Sequence, residues 1–323
     1  MHLDDLEIGR PEGERIRLEM LRADVSPGWS EPPLGRDDVV VVSGGARGVT
    51  AACALELARR TGARFVLLGR TPLPPVDQLE SLDDDAALKR ALMERASATG
   101  EPFTPAEIGR QASRIRAARE IRVNLAAFEA LGTHARYIAV DVRDVSALYD
   151  ALETVRRDLG PIRGIVHGAG VIEDRRIEDK TDEQFHRVFE TKVSGFLALA
   201  AATAGDPIRV VCLFSSVAGR AGNVGQADYA MANEVLNKMA QIEARRRPEA
   251  VVKSIAWGPW AGGMVSPALA RTFEERGIAL IPVGVGASMF ADEILGDSPV
   301  VEVVIGSLFR AASTESSTPP TES

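Results

Sequence analysis

Short apolar runs alternate with longer amphipathic stretches along most of this 323-residue chain. The first run, residues 39–42, is apolar at every position, as expected of a strand that is buried on both faces. Six further runs follow segments with helical periodicity, at residues 64–68, 136–140, 162–167, 209–214, 251–256 and 300–304. The pattern predicts an α/β fold: a doubly wound parallel sheet of about seven strands, with a ligand crevice beyond their carboxyl ends.

Three segments depart from this alternation. Residues 71–134 separate the second and third strands, and helical periodicity over 83–96 and 105–131 predicts a helical insertion, with a packing or interface role favoured over a catalytic one. Residues 1–36 are predicted to be an extension or linker with a remnant strand, because Ile16, Leu18 and Met20 alternate with charged residues before several prolines. Residues 307–323 are predicted to be a disordered tail, which leaves 37–306 as the main domain.

Composition excludes several classes of protein. The net charge is −8 and no basic cluster stands clear of acidic residues, so nucleic acid and anionic membrane are not expected as partners. The chain has no long apolar run and no secretory signal pattern, so we expect a cytoplasmic protein. Cys53 and Cys212 fall inside apolar elements without metal-ligand spacing, which predicts buried apolar side chains and no metal site.

The segment from Leu213 to Asn233 carries the strongest chemical signal. It places Ser216 thirteen residues before Tyr229, which is one of only three tyrosines, and it places Asn233 one helical turn after Tyr229. A hydroxyl, a phenol and an amide brought together can polarise a carbonyl group and protonate it. This chemistry needs a hydride donor beside it, and the sequence therefore has to contain a dinucleotide site.

A glycine turn joins the first strand to the following helix, where the positive helix end suits a pyrophosphate. No carboxylate follows the second strand to bind a ribose 2′-hydroxyl. Arg70 and Arg47 instead suit a 2′-phosphate, so NADPH is preferred over NADH. The turn residues expected at the cofactor are Gly44, Gly45, Ala46, Arg47, Gly48 and Val49.

Further cofactor contacts are predicted at the ends of later strands. Asp141 and Val142 follow the third strand, where a carboxylate can accept from the adenine amino group. Gly258 and Pro259 follow the sixth strand and are expected near the nicotinamide. The fourth strand ends in residues that leave room for the adenosine ribose, and no proton-transfer role is expected of its histidine: His167, Gly168, Ala169 and Gly170.

With these motifs in place, the chain resembles the short-chain dehydrogenase/reductase superfamily, which has a Rossmann-like fold. More narrowly, it resembles the ketoreductase domains of type I polyketide synthases, and its insertion is most similar to that of polyunsaturated fatty-acid synthase ketoreductases. The resemblance covers about residues 37–306. It rests on the segments SGGARGVT, LLGRT, HGAGVIED, ETKVSGF, LFSSVAGRAGNVGQADYAMAN and SIAWGPWAGGMV.

The resemblance implies NADPH-dependent reduction of a 3-ketoacyl thioester, carried on the phosphopantetheine of an acyl carrier protein within a multienzyme synthase. It makes Tyr229 the general acid and Ser216 a hydrogen-bond donor to the carbonyl oxygen. Lys192 would lower the pKa of the phenol and hold the nicotinamide ribose, so that Lys192 and Tyr229 also count as cofactor contacts. Asn233 would order a water. Relative to the wider superfamily, the lysine and the asparagine have exchanged positions.

The product and the setting are further expectations. The triplet Ile172-Glu173-Asp174 and the alanine at 221 resemble ketoreductases that give the D (3R-type) product, with Asp174 and Gln226 as the stereocontrol residues. Two alternatives stay open: a free-standing reductase of small-molecule ketones, and a non-catalytic structural domain of a synthase. The ketoreductases that the chain resembles usually have a structural half before the catalytic half, but only about thirty-six residues precede the first strand here. We therefore expect the chain to be either an excised piece or a version that never needed the structural half.

Overall fold

The computed structural model describes residues 32–100, 103–263, 265 and 267–306, together with residues 8–9, 14, 16–17 and 20–22. Near the N-terminus, strands β1 (Ile8–Gly9) and β2 (Ile16–Arg17) form an antiparallel pair. Ile16 is therefore in a strand as predicted, Leu18 lies outside the described residues, and Met20 is exposed instead of half-buried. The predicted tail, 307–323, also lies outside the described residues.

Seven parallel strands form the central sheet, in the order β5-β4-β3-β6-β7-β8-β9. The chain winds from β3 outward to β5 and then crosses back, so that β6 pairs with the other side of β3. Strand order thus reverses between β3 and β6, and the predicted doubly wound fold is confirmed. The strands are β3 (Val39–Ser43), β4 (Arg64–Gly69), β5 (Ala135–Ala139), β6 (Ile162–His167), β7 (Val210–Ser216), β8 (Val251–Trp257) and β9 (Glu302–Ile305).

Helices cover both faces of this sheet. One face carries α1 (Gly48–Thr61), α3 (Pro105–Ala130) and α10 (Val283–Leu295), and the other carries α4 (Val145–Leu159), α6 (Gly195–Ala202) and α8 (Ala227–Arg246). Successive strand side chains point to opposite faces. Val40 and Val42 accordingly pack in the first core, while Val39 and Val41 pack in the second. The remaining helices are α2 (Asp85–Thr99), α5 (Asp182–Phe189), α7 (Ala218–Ala221) and α9 (Pro267–Glu275).

The predicted insertion between the second and third sheet strands is helical. Its helices α2 and α3 pack together through a small apolar cluster that includes Leu88, Leu92 and Ile108. The second half of α3 belongs instead to the main core, where Phe128 is fully buried and its ring centroid lies 5.3 Å from that of Phe65. The insertion is therefore anchored to the sheet along α3.

Cys53 and Cys212 are both fully buried in the core, as predicted for apolar side chains. Among the residues that the structure describes, no helix combines the length and the apolar character needed to cross a bilayer.

Candidate active site

A cavity of about 1650 Å³ opens at the carboxyl ends of the sheet strands. This volume exceeds the roughly 300–1,000 Å³ of a pocket for a drug-sized ligand, so it has room for a dinucleotide and a second molecule. The cavity lies at the strand-order reversal, where a doubly wound sheet places its ligand crevice. Its wall includes residues at the ends of five strands: Gly44, Gly69, Gly168, Ser216 and Gly258.

The turn between β3 and α1 needs glycine for two physical reasons. Gly44 and Gly48 have φ angles of 70° and 59°, in the left-handed region that other residues rarely adopt. A Cβ on Gly44 would lie 2.9 Å from the backbone nitrogen of Ala169, and a Cβ on Gly45 would lie 2.4 Å from Val42 Cγ1. The turn therefore packs tightly against the end of β6. All the predicted turn residues line the cavity except Gly45, which faces the core.

The end of the cavity beside β4 and β5 is lined by several charged side chains. Arg47 and Arg70 both line it, as do Asp141 and Val142. Hydrogen bonds from Arg143, one of 2.8 Å from Nη2, hold the pKa of Asp141 below its usual value, and the charge of Arg70 adds to this effect. Asp141 is therefore ionised and can accept hydrogen bonds. The two guanidinium groups make this end suited to a phosphate.

His167 is a correction to the predicted set of cofactor contacts, because its side chain is fully buried outside the cavity. Its Nδ1 is 2.7 Å from Ser43 Oγ, and its Nε2 is 2.9 Å from the Lys192 carbonyl oxygen. A carbonyl oxygen only accepts, so we assign the ring proton to Nε2. Burial lowers the pKa of His167 to about 3, and the neutral ring links β3 to the Lys192 backbone. The predicted neighbours that do line the cavity are Gly168, Ala169 and Gly170.

Three of the four predicted catalytic side chains line the same part of the cavity. Ser216 ends β7, Tyr229 lies in the first turn of α8, and Lys192 lies in a π-helical turn, Glu190–Ser194, between α5 and α6. Such turns occur frequently at functional sites. Lys192 Nζ is 5.3 Å from the centroid of the Tyr229 ring. The lysine therefore reaches the tyrosine from a neighbouring helix.

The surroundings of Ser216 and Tyr229 leave both hydroxyl groups suited to donate protons. Ser216 Oγ accepts from the Ala218 N–H at 3.1 Å, which leaves the serine hydroxyl proton available to another acceptor. Burial raises the pKa of the Tyr229 phenol, while hydrogen bonding to Asn233 and Ser216 opposes the rise and the charge of Asp174 adds to it. The net rise keeps the phenol protonated at neutral pH.

Lys192 is only 3% exposed, and its Nζ donates to the Phe214 carbonyl oxygen at 2.9 Å. Burial lowers its pKa from 10.5 to about 7. Lys192 therefore carries only part of a positive charge at neutral pH, and the lowering of the Tyr229 pKa expected from a fully charged lysine is weakened. A group with a pKa near 7 can instead take up and release protons under these conditions.

Asn233 lies behind Tyr229 and does not line the cavity. Its Nδ2 donates to the Tyr229 carbonyl oxygen at 2.7 Å. Its buried Oδ1 has no hydrogen-bond partner among the described residues. A buried acceptor of this kind is usually satisfied by an ordered water.

The two predicted stereocontrol residues are in direct contact. Gln226 Nε2 lies 3.1 Å from both carboxylate oxygens of Asp174, and Asn223 donates to Gln226 Oε1 at 3.0 Å. Asp174, Gln226 and Asn223 all line the cavity. The contact joins the segment after β6 to the segment before α8, so these residues shape the rim beside Tyr229.

A buried ion pair beside Tyr229 was not predicted from the sequence. Lys180 Nζ lies 2.8 Å from Asp228 Oδ2 and donates to the Glu173 carbonyl oxygen at 2.7 Å, and the two side chains are 5% and 1% exposed. Asp228 Oδ1 accepts the Tyr229 backbone N–H at 2.9 Å. The only available signals were the scarcity of lysine and the position of Asp228 before the tyrosine.

The insertion also contributes to the cavity, which the packing or interface role expected of it did not include. Arg114, Ile115, Ala118, Glu120 and Ile121 of α3 all line the cavity wall. The helical spacing of Arg114, Ala118 and Ile121 places these three along one face of α3. Gly258 and Pro259, which are expected near the nicotinamide, line the cavity near the end of β8.

Comparison with known proteins gives a consistent result. The KR domain family model matches residues 39–262. A polyunsaturated fatty acid synthase subunit of Thraustochytrium sp. is 40% identical over 291 residues, which are 87% of this chain and 10% of that protein. Polyketide synthase ThaG of Burkholderia thailandensis is 31% identical over 284 residues, 85% of this chain and 4% of that protein.

Among solved structures, a ketoreductase domain from the bacillaene assembly line superposes with a TM-score of 0.69 at 28% identity. The match covers 93% of this chain and 62% of that chain. The chain therefore spans a tenth or less of these two synthases and under two thirds of the solved ketoreductase chain.

Proposed function

The chain belongs to the KR domain family of ketoreductases, and from this premise we propose that it reduces a 3-ketoacyl thioester to the 3-hydroxyacyl thioester with NADPH. The observation that carries the proposal is the convergence of Ser216, Tyr229 and Lys192 in one cavity with the glycine turn. One end of the cavity suits a dinucleotide, and the other presents a protonated phenol to a carbonyl group.

The cavity residues fit NADPH, which supplies the hydride when it is bound. The N–H groups at the start of α1 suit the pyrophosphate, because a helix N-terminus favours anions. Arg47 and Arg70 would hold the 2′-phosphate, and Asp141 would accept from the adenine. Gly44 keeps this turn close to the backbone after β6, where a side chain would collide with Ala169.

The proton chemistry follows from the protonation states at the site. Tyr229 donates its phenol proton to the oxygen of the ketone as charge develops there. Ser216 donates a hydrogen bond to the same oxygen, because its bond to the Ala218 N–H uses a lone pair and leaves the hydroxyl proton available. Both groups are set for donation by their environments, so the carbonyl oxygen is the atom on which they act.

Lys192 and Asn233 restore the proton that Tyr229 loses. Lys192 exchanges protons near pH 7 because burial lowers its pKa to about 7. Asn233 Oδ1 is the buried acceptor that would hold a water on the route to solvent. In this scheme Lys192 also binds the ribose hydroxyls beside the nicotinamide.

Substrate and product are proposed as follows. The substrate is held as a thioester on the phosphopantetheine of an acyl carrier protein, and other domains of a synthase are the neighbours. The two synthases named above support this setting, because the chain matches only a small part of each. We assign the D (3R-type) product to the cavity rim formed by Asp174 and Gln226.

A kinetic comparison tests the substrate class. With NADPH in excess, we expect kcat/KM for a 3-ketoacyl pantetheine thioester to exceed that for a simple cyclic ketone at least about tenfold, because the thioester fills more of the cavity. Chiral chromatography of the hydroxyacyl product should give the D isomer. Higher efficiency with the cyclic ketone would favour a free-standing ketone reductase instead.

A further inference from the structure

Helix α3 of the insertion contacts the glycine turn at two polar atoms. Glu120 Oε1 accepts from the Gly48 N–H at 2.8 Å, and Asn124 Nδ2 donates to the Ala46 carbonyl oxygen at 2.9 Å. Glu120 and Asn124 are four residues apart and therefore lie on the same face of α3. The helix thus binds the turn through one donor and one acceptor.

Packing holds α3 in this position. Ile121, next to Glu120, is 1% exposed, and Phe128 is fully buried in the core that also contains α1. The contacts to the turn are therefore made from a helix that is fixed against the body of the protein. Glu120 itself stays exposed along the cavity wall.

Gly48 is the first residue of α1, and Arg47 before it provides no side-chain cap for the helix. The N–H groups at this helix end are the donors that a dinucleotide pyrophosphate would use. The Glu120 carboxylate thus accepts a hydrogen bond that a phosphate oxygen could accept, and it carries a charge of the same sign.

We propose that α3 is part of the cofactor site, in which Asn124 holds the turn in its binding conformation and Glu120 limits cofactor affinity. The inference rests on the proposed function, because it takes a dinucleotide as the ligand. The carboxylate either leaves Gly48 when the pyrophosphate arrives or stays and repels it. In both cases the charge of Glu120 weakens binding, so its removal strengthens binding.

Cofactor affinity in two variants of α3 tests the proposal. Glu120→Gln keeps an oxygen that can accept from Gly48 and removes the charge. We expect its Kd for NADPH, measured by fluorescence at low salt, to fall about threefold or more, and the gain to shrink at high salt. Asn124→Ala removes the hydrogen bond to Ala46, and its Kd should rise about threefold at either salt concentration.

The matched control is Glu129→Gln, the same substitution at an exposed position of α3 outside the cavity, which should bind like the wild type. Thermal unfolding verifies that every variant is folded. If the wild type binds NADPH and Glu120→Gln binds it equally well or more weakly, this inference is wrong, while the proposed function is unaffected. A wild type that binds no NADPH overturns the proposed function, and the inference with it.

Discussion

Burial shifts the pKa values of Tyr229 and Lys192 in opposite directions, because it disfavours the charged form of each group. The phenol pKa rises, and the ammonium pKa falls from 10.5 to about 7. In the proposed mechanism, Tyr229 therefore keeps its proton until a developing oxyanion takes it, while Lys192 exchanges protons near neutral pH. The two shifts suit the roles proposed for Tyr229 as the proton donor and for Lys192 as the group that reloads it.

The lowered pKa of Lys192 predicts a pH-dependent stability. Between pH 7 and 10 the unfolded chain binds a proton at Lys192 that the folded chain does not, so the free energy of unfolding rises with pH. In urea denaturation at pH 7, 8 and 9, the free energy of unfolding of the wild type should rise relative to that of Lys192→Met by up to about 1.4 kcal/mol per pH unit. Lys89→Met, at a lysine on the surface of α2, is the control for the effect of the substitution itself on stability. A constant difference for Lys192→Met would contradict the shift.

At the scale of elements, Tyr229 is positioned by contacts between the segment after β6 and the start of α8. The exposed contact of Asp174 with Gln226 and the buried pair of Lys180 with Asp228 join these two segments. Asp228 also accepts the Tyr229 N–H, so the pair fixes the backbone from which the phenol projects. The connection between β6 and α5 thereby becomes part of the proposed catalytic site.

Removal of one partner of this buried pair should be more harmful than removal of both. Lys180→Met leaves the Asp228 charge buried without its partner, and we expect a loss of about 3 kcal/mol in the free energy of unfolding. The double variant with Asp228→Asn should recover most of that loss. Lys89→Met, from an exposed pair, should change stability by less than about 1 kcal/mol. Urea denaturation measures the free energy of unfolding of all three variants. If the losses from the two substitutions simply add in the double variant, Lys180 and Asp228 do not stabilise each other.

The elements were predictable from sequence where local composition determines them. Strands buried on both faces are apolar at every position, and a tight turn needs glycine, so β3 and the turn after it were found from sequence. The pair of Lys180 with Asp228 spans 48 positions, and the contact of Gly48 with Glu120 spans 72. Such contacts depend on how distant elements pack, which a single sequence does not state. The burial of His167 away from the cavity was missed for the same reason.

At the scale of the whole molecule, one parallel sheet sets the spacing between the two halves of the site. The ends of β3 and β4 carry the residues suited to a dinucleotide, and the end of β7 carries Ser216. Two apolar cores, one on each face, hold these strands in register, and α3 adds a further wall. The described residues therefore place the groups proposed for cofactor binding and for proton donation in a single cavity.

The most direct test of the proposed chemistry is NADPH oxidation with a 3-ketoacyl pantetheine thioester, comparing the wild type with Tyr229→Phe. The variant keeps the ring and its packing but has no phenol proton to donate. We expect kcat to fall about 100-fold or more, while the Kd for NADPH and the unfolding temperature stay close to the wild-type values. Unchanged turnover in Tyr229→Phe would contradict the assignment of Tyr229 as the proton donor.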